Sequence, residues 1–363
     1  MLAFLGLVLL IVIVLEWATF RDPLRAVRYD ARTDKRSVDV DEPFTIESTI
    51  ENGRRLPIAF LRVTENLPPE MALKNLPPRY AVELPPNGLK LPLRLVSTAY
   101  LGPKQKLTRK VSATLPRRGR YFLRGAELTG GDFLGLAEEI HTYSCYNEIV
   151  VLPKRADCAA ETEALGGFLG DISVRRFIME DPVLTLGFRD YTGREPQKQI
   201  AWTQSLRTGK LLVKEYDHTL EPAVTVLLNV SAAGEDRFLR IERAFSLART
   251  VCETLEKKRI QYSFLTNAMA AGALGLWSSI TVGLGRNHLL AILEGLGRAT
   301  YDPAESFLAT LERAARMAEQ GRSHIIISPD NGEAFQKGVG QLLLRTGGAN
   351  CVIIAEAPCE KEA

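Results

Sequence analysis

The densest group of side chains able to do chemistry lies between Gly187 and Asp217. There Arg189, Asp190, Tyr191, Arg194, Glu195 and Lys198 crowd a segment backed by Ile200, Trp202, Leu206, Leu211, Leu212 and Val213. Asp190 with Glu195, or Asp181 with Asp190, has the composition of a general acid and base pair. Carboxylates set among Arg189, Arg194 and Lys198 are, however, expected to pair with those cations rather than to move protons. The histidines are His141, His218, His288 and His324, and none stands in a His-x-x-x-His, His-Glu-x-x-His or nucleophile-elbow context. Gly166-Gly167-Phe168-Leu169-Gly170-Asp171 is glycine-rich but lacks the Gly-Lys-Ser/Thr ending that cradles a nucleotide phosphate, so it reads as a connector. No enzyme activity and no cofactor are therefore expected. Arg189, Asp190, Arg194, Glu195, Lys198 and Arg207 are expected to form a partner-binding or interdomain charged surface, with Tyr191, Ile200 and Trp202 holding the loop to the fold.

The elements that must position this loop follow from length and pattern. The chain has 363 residues, 25% charged and 46% hydrophobic, enough for two cores and too apolar for global disorder. A formal net charge of +3, with no basic stripe interleaved with aromatics, argues against nucleic acid as a partner. Leu2 to Leu15 is uninterruptedly apolar and Trp17, Ala18 and Phe20 extend it past Glu16, so residues 1–20 are expected to be a transmembrane helix. Arg21, Arg25, Arg28, Arg32, Lys35 and Arg36 follow it, which puts the expected soluble part in the cytoplasm of a single-pass cell-membrane protein. The cysteines, Cys145, Cys158, Cys252, Cys351 and Cys359, are odd in number and lack a Cys-x-x-Cys pair, which suits isolated thiols better than disulfides or zinc.

From 33 to 153 the chain breaks into short β-branched runs, among them Phe44 to Ile50, Ile58 to Val63, Leu91 to Val96, Leu107 to Leu115 and Ile149 to Leu152. Turn signals such as Asn52-Gly53 and Pro85-Pro86-Asn87-Gly88 separate them. This pattern predicts a β-sandwich. Residues 154–221 are read as a connector carrying the charged loop. From 222 the periodicity changes: Ala223 to Val230 is a continuous buried-strand run. Phe238, Ile241, Phe245, Ala248, Cys252 and Leu255 then recur on one helical face, and strands at Ile260 to Thr266, His324 to Ser328 and Cys351 to Ala355 alternate with further helices. The expected fold class is thus α+β multidomain, ending in an α/β doubly wound sheet over 222–363.

Asn229-Val230-Ser231-Ala232-Ala233, where the first of these strands becomes a loop, is similar to the Asp-x-Ser-x-Ser metal motif of von Willebrand factor A domains. Asn229 and Ala233 remove the charge and one oxygen that a hard cation needs. Asn229 and Ser231, with Asp330 of Ser328-Pro329-Asp330, therefore read as a degenerate site expected to hold no metal.

The 187–217 segment resembles the signature of the bacterial family catalogued as domain of unknown function fifty-eight. The family's Arg-Glu-Tyr falls on Arg189, Asp190 and Tyr191, its Gly-Asp pair on Arg194 and Glu195, its next arginine on Lys198, and its Ile-x-Trp on Ile200 and Trp202. Its later Ala-Arg, Leu-x-Val-Arg and acidic end fall on Leu206 with Arg207, Leu211 to Lys214, and Asp217. Arg118-Gly119-Arg120-Tyr121 and Asp132-Phe133-Leu134-Gly135-Leu136 are similar to its Arg-Arg-Gly-x-Tyr and Asp-Pro-Phe-Gly-Leu motifs. The resemblance implies a von Willebrand A-like domain. It also implies a membrane-anchored accessory protein working with a MoxR-type AAA+ ATPase and other von Willebrand A proteins in assembly or maturation of envelope or protein complexes. The alternatives are a metal-dependent adhesion-type binding module and an envelope hydrolase.

Overall fold

A computed structural model describes residues 2–20, 23–83, 91–131, 138–156, 166–168, 185–193, 195–216, 223–271, 278–317, 322–347 and 349–355. Two compact units emerge, one comprising Met1–Lys154 with Leu296–Arg298, the other Arg155–Gly295 with Ala299–Ala363. Helix α1 (Leu2–Phe20) opens the chain. Its uninterrupted apolar stretch ends at Leu15, giving about 21 Å of rise at 1.5 Å per residue, short of a hydrocarbon layer of about 30 Å. Among the described residues no helix is long and apolar enough to cross a membrane. The expected transmembrane helix over 1–20 is corrected accordingly, and with it the single-pass cell-membrane placement.

The first unit is built from β1 (Val27–Thr33), β2 (Ser37–Val38), β3 (Phe44–Asn52), β4 (Ile58–Leu67), β5 (Ala72–Lys74), β6 (Tyr80–Glu83), β7 (Leu93–Leu101), β8 (Lys106–Thr114), β9 (Gly119–Leu123), β10 (Ala126–Gly131), β11 (Glu138–Tyr143) and β12 (Asn147–Val151). Two antiparallel sheets, in the orders β1-β3-β8-β5 and β11-β10-β4-β7-β6, face each other, and a small sheet, β2-β12-β9, completes the unit. Strict alternation makes the inner faces: along β3, Phe44, Ile46, Ser48, Ile50 and Asn52 are buried while Glu47 and Glu51 are exposed.

That alternation places a polar layer inside the core. One apolar cluster holds Phe44, Ile46, Leu67, Leu95 and Val111, and a second holds Ile50, Val63, Leu101 and Leu128. Between them along the strands come Ser48 on β3, Arg109 on β8, Glu65 on β4 and Ser97 on β7, all buried. Ser48 and Arg109 are register partners. Arg109 Nη1 donates to Ser97 Oγ, and Tyr29 donates its hydroxyl to Glu65 Oε1 at 2.9 Å. Burial lowers the Arg109 pKa, and the Glu65 charge in the same buried layer opposes that shift through space.

The second unit contains β13 (Thr185–Asp190), α2 (Trp202–Thr208), β14 (Leu212–Tyr216), β15 (Val224–Leu228), α3 (Arg237–Lys257), β16 (Tyr262–Thr266), β17 (Ala268–Ala270), β18 (Ser279–Gly283), α4 (Arg286–Arg298), β19 (Ala299–Pro303), α5 (Phe307–Met317), β20 (Ser323–Ser328), α6 (Glu333–Thr346) and β21 (Asn350–Ile354). The last three residues of α4, Leu296–Arg298, belong to the first unit. The five-stranded sheet runs β18-β16-β15-β20-β21. Every residue of β15 is buried, and α3 turns Ile241, Phe245, Ala248, Cys252 and Leu255 into the core.

The sheet is mixed: β15 is parallel to β16 and β20, and β20 to β21, but β18 runs antiparallel to β16. A parallel return needs a crossover of a dozen or more residues, usually helical. Here the described part of the connection from β16 forms β17, which pairs with β19 as a separate antiparallel ribbon. The expectation of a doubly wound, von Willebrand A-like domain is corrected on this ground, since the chain is β-rich and its second sheet is not wholly parallel.

Candidate functional sites

Two constellations carry the polar chemistry of the second unit. The first is the hairpin β13–β14 with the segment between its strands. Ile200 bridges to Val213, Ala201 N donates to Leu212 O at 2.8 Å, and Ser205 Oγ accepts from Leu212 N at 2.9 Å. These ties bury Ile200, Ala201, Ser205 and Val213. Helix α2 ends at Gly209, whose φ of +68° is the left-handed conformation that glycine adopts without strain.

Within this segment Arg189 and Glu195 are joined to each other, Arg189 Nη1 donating to Glu195 Oε1 at 2.6 Å. Thr192 donates to the same carboxylate through its backbone N at 3.1 Å and its hydroxyl at 2.8 Å. Glu195 is held down to about 2, first by the Thr192 hydroxyl and then by Arg189. Such a carboxylate braces the loop and is a poor proton acceptor. Asp190, Lys198 and Arg207 are exposed, Tyr191 is half-buried, and Arg194 lies outside the described residues. Trp202 does not hold the loop to the fold, because its side chain is 59% exposed. Leu206, one helical turn on, is 85% exposed. The two lie one turn apart on α2, and the exposed cations Lys198, Arg207, Lys210 and Lys214 stand near them in sequence, Arg207 on α2 itself and Lys214 on β14.

The second constellation sits at the carboxyl ends of β15, β16 and β20, the edge where open α/β sheets place ligands. Asn229 Nδ2 donates to Ser328 Oγ at 3.0 Å, while Asn229 Oδ1 accepts from Asn267 Nδ2 at 3.0 Å and from Ser231 N at 2.9 Å. Asn267 Nδ2 also donates to Ser231 Oγ at 2.9 Å, and its Oδ1 accepts from Val230 N at 2.9 Å. Ser328 Oγ donates to the backbone O of Asp330 at 2.6 Å, and the Asp330 carboxylate accepts from Asn331 N at 2.8 Å. Asn229, Ser231 and Asp330 are thus brought to one place, but the Asp330 side chain turns to its own loop. The Asn229 oxygen that a cation would need is already taken by two N–H donors. Among the described residues no group of three or more His, Cys, Asp or Glu could hold a metal ion. Asn267, the hub, escaped the sequence reading; its signal was a polar residue just beyond the apolar run ending at Thr266.

Several expectations fall outside the described residues: Asp132 to Leu136, Leu169 to Asp171, Asp181, Asp217, His218, Cys158 and Cys359. Cys252 is fully buried, and burial pushes its thiol far above the usual range.

No protein-family model matches the chain, and no curated protein matches it. Among solved structures it is similar to a cohesin module from a Clostridium perfringens family 33 glycoside hydrolase, at 16% identity over 34% of this chain and 96% of that one, with a TM-score of 0.25. A type II cohesin domain from the cellulosome of Acetivibrio cellulolyticus matches at 13% identity over 34% and 95%, with a TM-score of 0.26. The CARDB domain of the PF1109 protein of Pyrococcus furiosus matches at 15% identity over 34% and 91%, with a TM-score of 0.21. TM-scores this low carry no conclusion about this chain.

Proposed function

We propose that this chain is an interaction protein, an adaptor that works with a MoxR-type AAA+ ATPase in assembly or maturation of protein complexes and performs no catalysis itself. The observation that carries the reading is the α2 surface, where Trp202 and Leu206 stand exposed, with the exposed cations Lys198, Arg207, Lys210 and Lys214 close by in sequence. Aromatic anchors ringed by polar groups are the composition of binding hot spots. The resemblance of the 189–217 signature to the domain of unknown function fifty-eight family supports the choice of ATPase.

The test is capture of the MoxR-type ATPase encoded by the same genome on immobilised full-length chain, with and without ATP. Wild type is expected to retain it, and Trp202→Ser with Leu206→Ser to lose at least about tenfold of the affinity, a typical hot-spot effect. Because both side chains are exposed, the pair should leave stability within about 0.5 kcal/mol per site. Capture undiminished by the double substitution would move the interface elsewhere, and no capture by wild type would remove the ATPase from the reading.

A further inference from the structure

At the amino ends of the central strands a polar row crosses the second unit's sheet. The register sets Ser263 beside Thr225, Thr225 beside His324 and His324 beside Asn350, on β16, β15, β20 and β21 in turn. Two residues further along three of these strands, and so on the same face, come Leu265, Leu227 and Ile326. That apolar row packs under Phe307, Leu311 and Ala314 of α5 and Val339 and Leu342 of α6.

Half of the polar row is satisfied, since Ser263 Oγ donates to Thr225 Oγ1 at 3.1 Å. The other half is not. His324 is wholly buried, and neither ring nitrogen makes a hydrogen bond of good geometry; the side chain of Asn350, whose own polar atoms are also buried without a well-formed bond, is its one close polar neighbour among the described residues. Burial depresses the His324 pKa to about 4, the approach of the Asn350 side chain opposes that shift, and the Arg322 cation just before β20 adds to it.

Among the described residues no charge of opposite sign is placed to compensate a proton here. The same-face neighbours from β15, β16 and β21 are Thr225, Ser263 and Asn350, none of them titratable in this range. On α5, Glu312 faces Arg316 at 3.5 Å, and Arg313 is paired with Glu305 at 2.7 Å. On α6, Glu333 is paired with Lys337 at 3.8 Å and Arg345 is exposed. Among the described strands β21 ends the sheet and pairs with β20 alone.

We propose that His324 and Asn350 form a proton-sensitive latch that holds edge strand β21 against β20 while the imidazole is neutral and releases it when His324 takes up a proton. A buried imidazolium has two N–H donors to satisfy, and Asn350 Oδ1 is the free acceptor beside it. Opening the β20–β21 pair hydrates the cation, and the freed β20 edge becomes able to accept another strand.

The sign follows from linkage. The opened form has the ordinary histidine pKa of 6.5 and the closed form about 4, so the closed form is fully favoured above 6.5 and loses ground as pH falls toward 4. Hydrogen exchange of the full chain, read by mass spectrometry and corrected for intrinsic rates, tests the latch. Protection of β21 is expected to fall about 50-fold between pH 7 and pH 4.5 in wild type, ahead of β15. His324→Gln and His324→Val should remove that step. Protection of β21 independent of pH in wild type, or an equal fall in both variants, overturns the proposal. A second readout needs no variant: the His324 ring resonances should titrate below pH 5, and a midpoint near 6.5 in the folded chain overturns it too.

Discussion

Replacing Asn267 by leucine removes the hub of the network at the carboxyl end of the second unit's sheet while keeping its approximate volume. Asn267 is 1% exposed, so no solvent takes over its bonds. The Val230 N–H, which donates to Asn267 Oδ1 at 2.9 Å, is left buried without an acceptor, at about 1 to 3 kcal/mol. Asn229 Oδ1 and Ser231 Oγ each lose one donor, but Asn229 Oδ1 keeps Ser231 N, so these losses add about 1 kcal/mol together. The sum is about 3 kcal/mol, or about 6 to 12 °C in Tm for a unit of this size. Urea unfolding followed by circular dichroism, with calorimetry for the Tm of the second unit, measures it. A loss below about 1 kcal/mol would show that Asn267 is not the hub and refute the reasoning.

Three further outcomes are expected. Arg109→Met alone should destabilise the first unit by about 3 kcal/mol because it leaves the Glu65 charge in the core, whereas Glu65→Leu with Arg109→Met should come within about 1 kcal/mol of wild type; a double-mutant cycle in urea decides. Magnesium or manganese at millimolar concentration, against chelator, should leave the Tm unchanged, since Asn229 Oδ1 already accepts from Asn267 and Ser231; a reproducible rise abolished by Ser231→Ala would reverse that expectation. Cys252 should resist a thiol reagent in the folded chain and react after unfolding, because it is buried with its thiol pKa raised; mass mapping of the labelled peptide checks this.

Local pattern was enough for individual elements. The two-residue alternation from Phe44 to Asn52, the apolar run that became β15 and the three-and-four spacing of Ile241, Phe245, Ala248, Cys252 and Leu255 are set by backbone geometry, whereas Phe238, expected on the same buried face, stands 49% exposed at the start of the helix. The polarity of Asn229 and the loss of an acidic ligand there were equally plain from residue type. Leu2 to Leu15 was legible as apolar, but the stretch stops at Glu16 and is too short for the span that its composition suggested.

What pairs with what was decided only in three dimensions. β18 returns antiparallel to β16, with β17 in the described part of the connection between them, and no residue-by-residue pattern distinguishes a parallel from an antiparallel partner. Trp202 looked like a packed anchor by residue type, yet α2 leaves it in solvent, since Ile200, Ser205 and Val213 close the hairpin without it. Arg109 reads as a surface residue until the register of β8 turns it inward beside Ser48 and toward Glu65 of the facing sheet. Asn267 meets Asn229 from 38 positions away, and His324 meets Asn350 only through strand pairing. Charge, polarity and period belong to the sequence; whether a polar group is satisfied, exposed or stranded depends on groups distant in the chain, and that is set by tertiary structure.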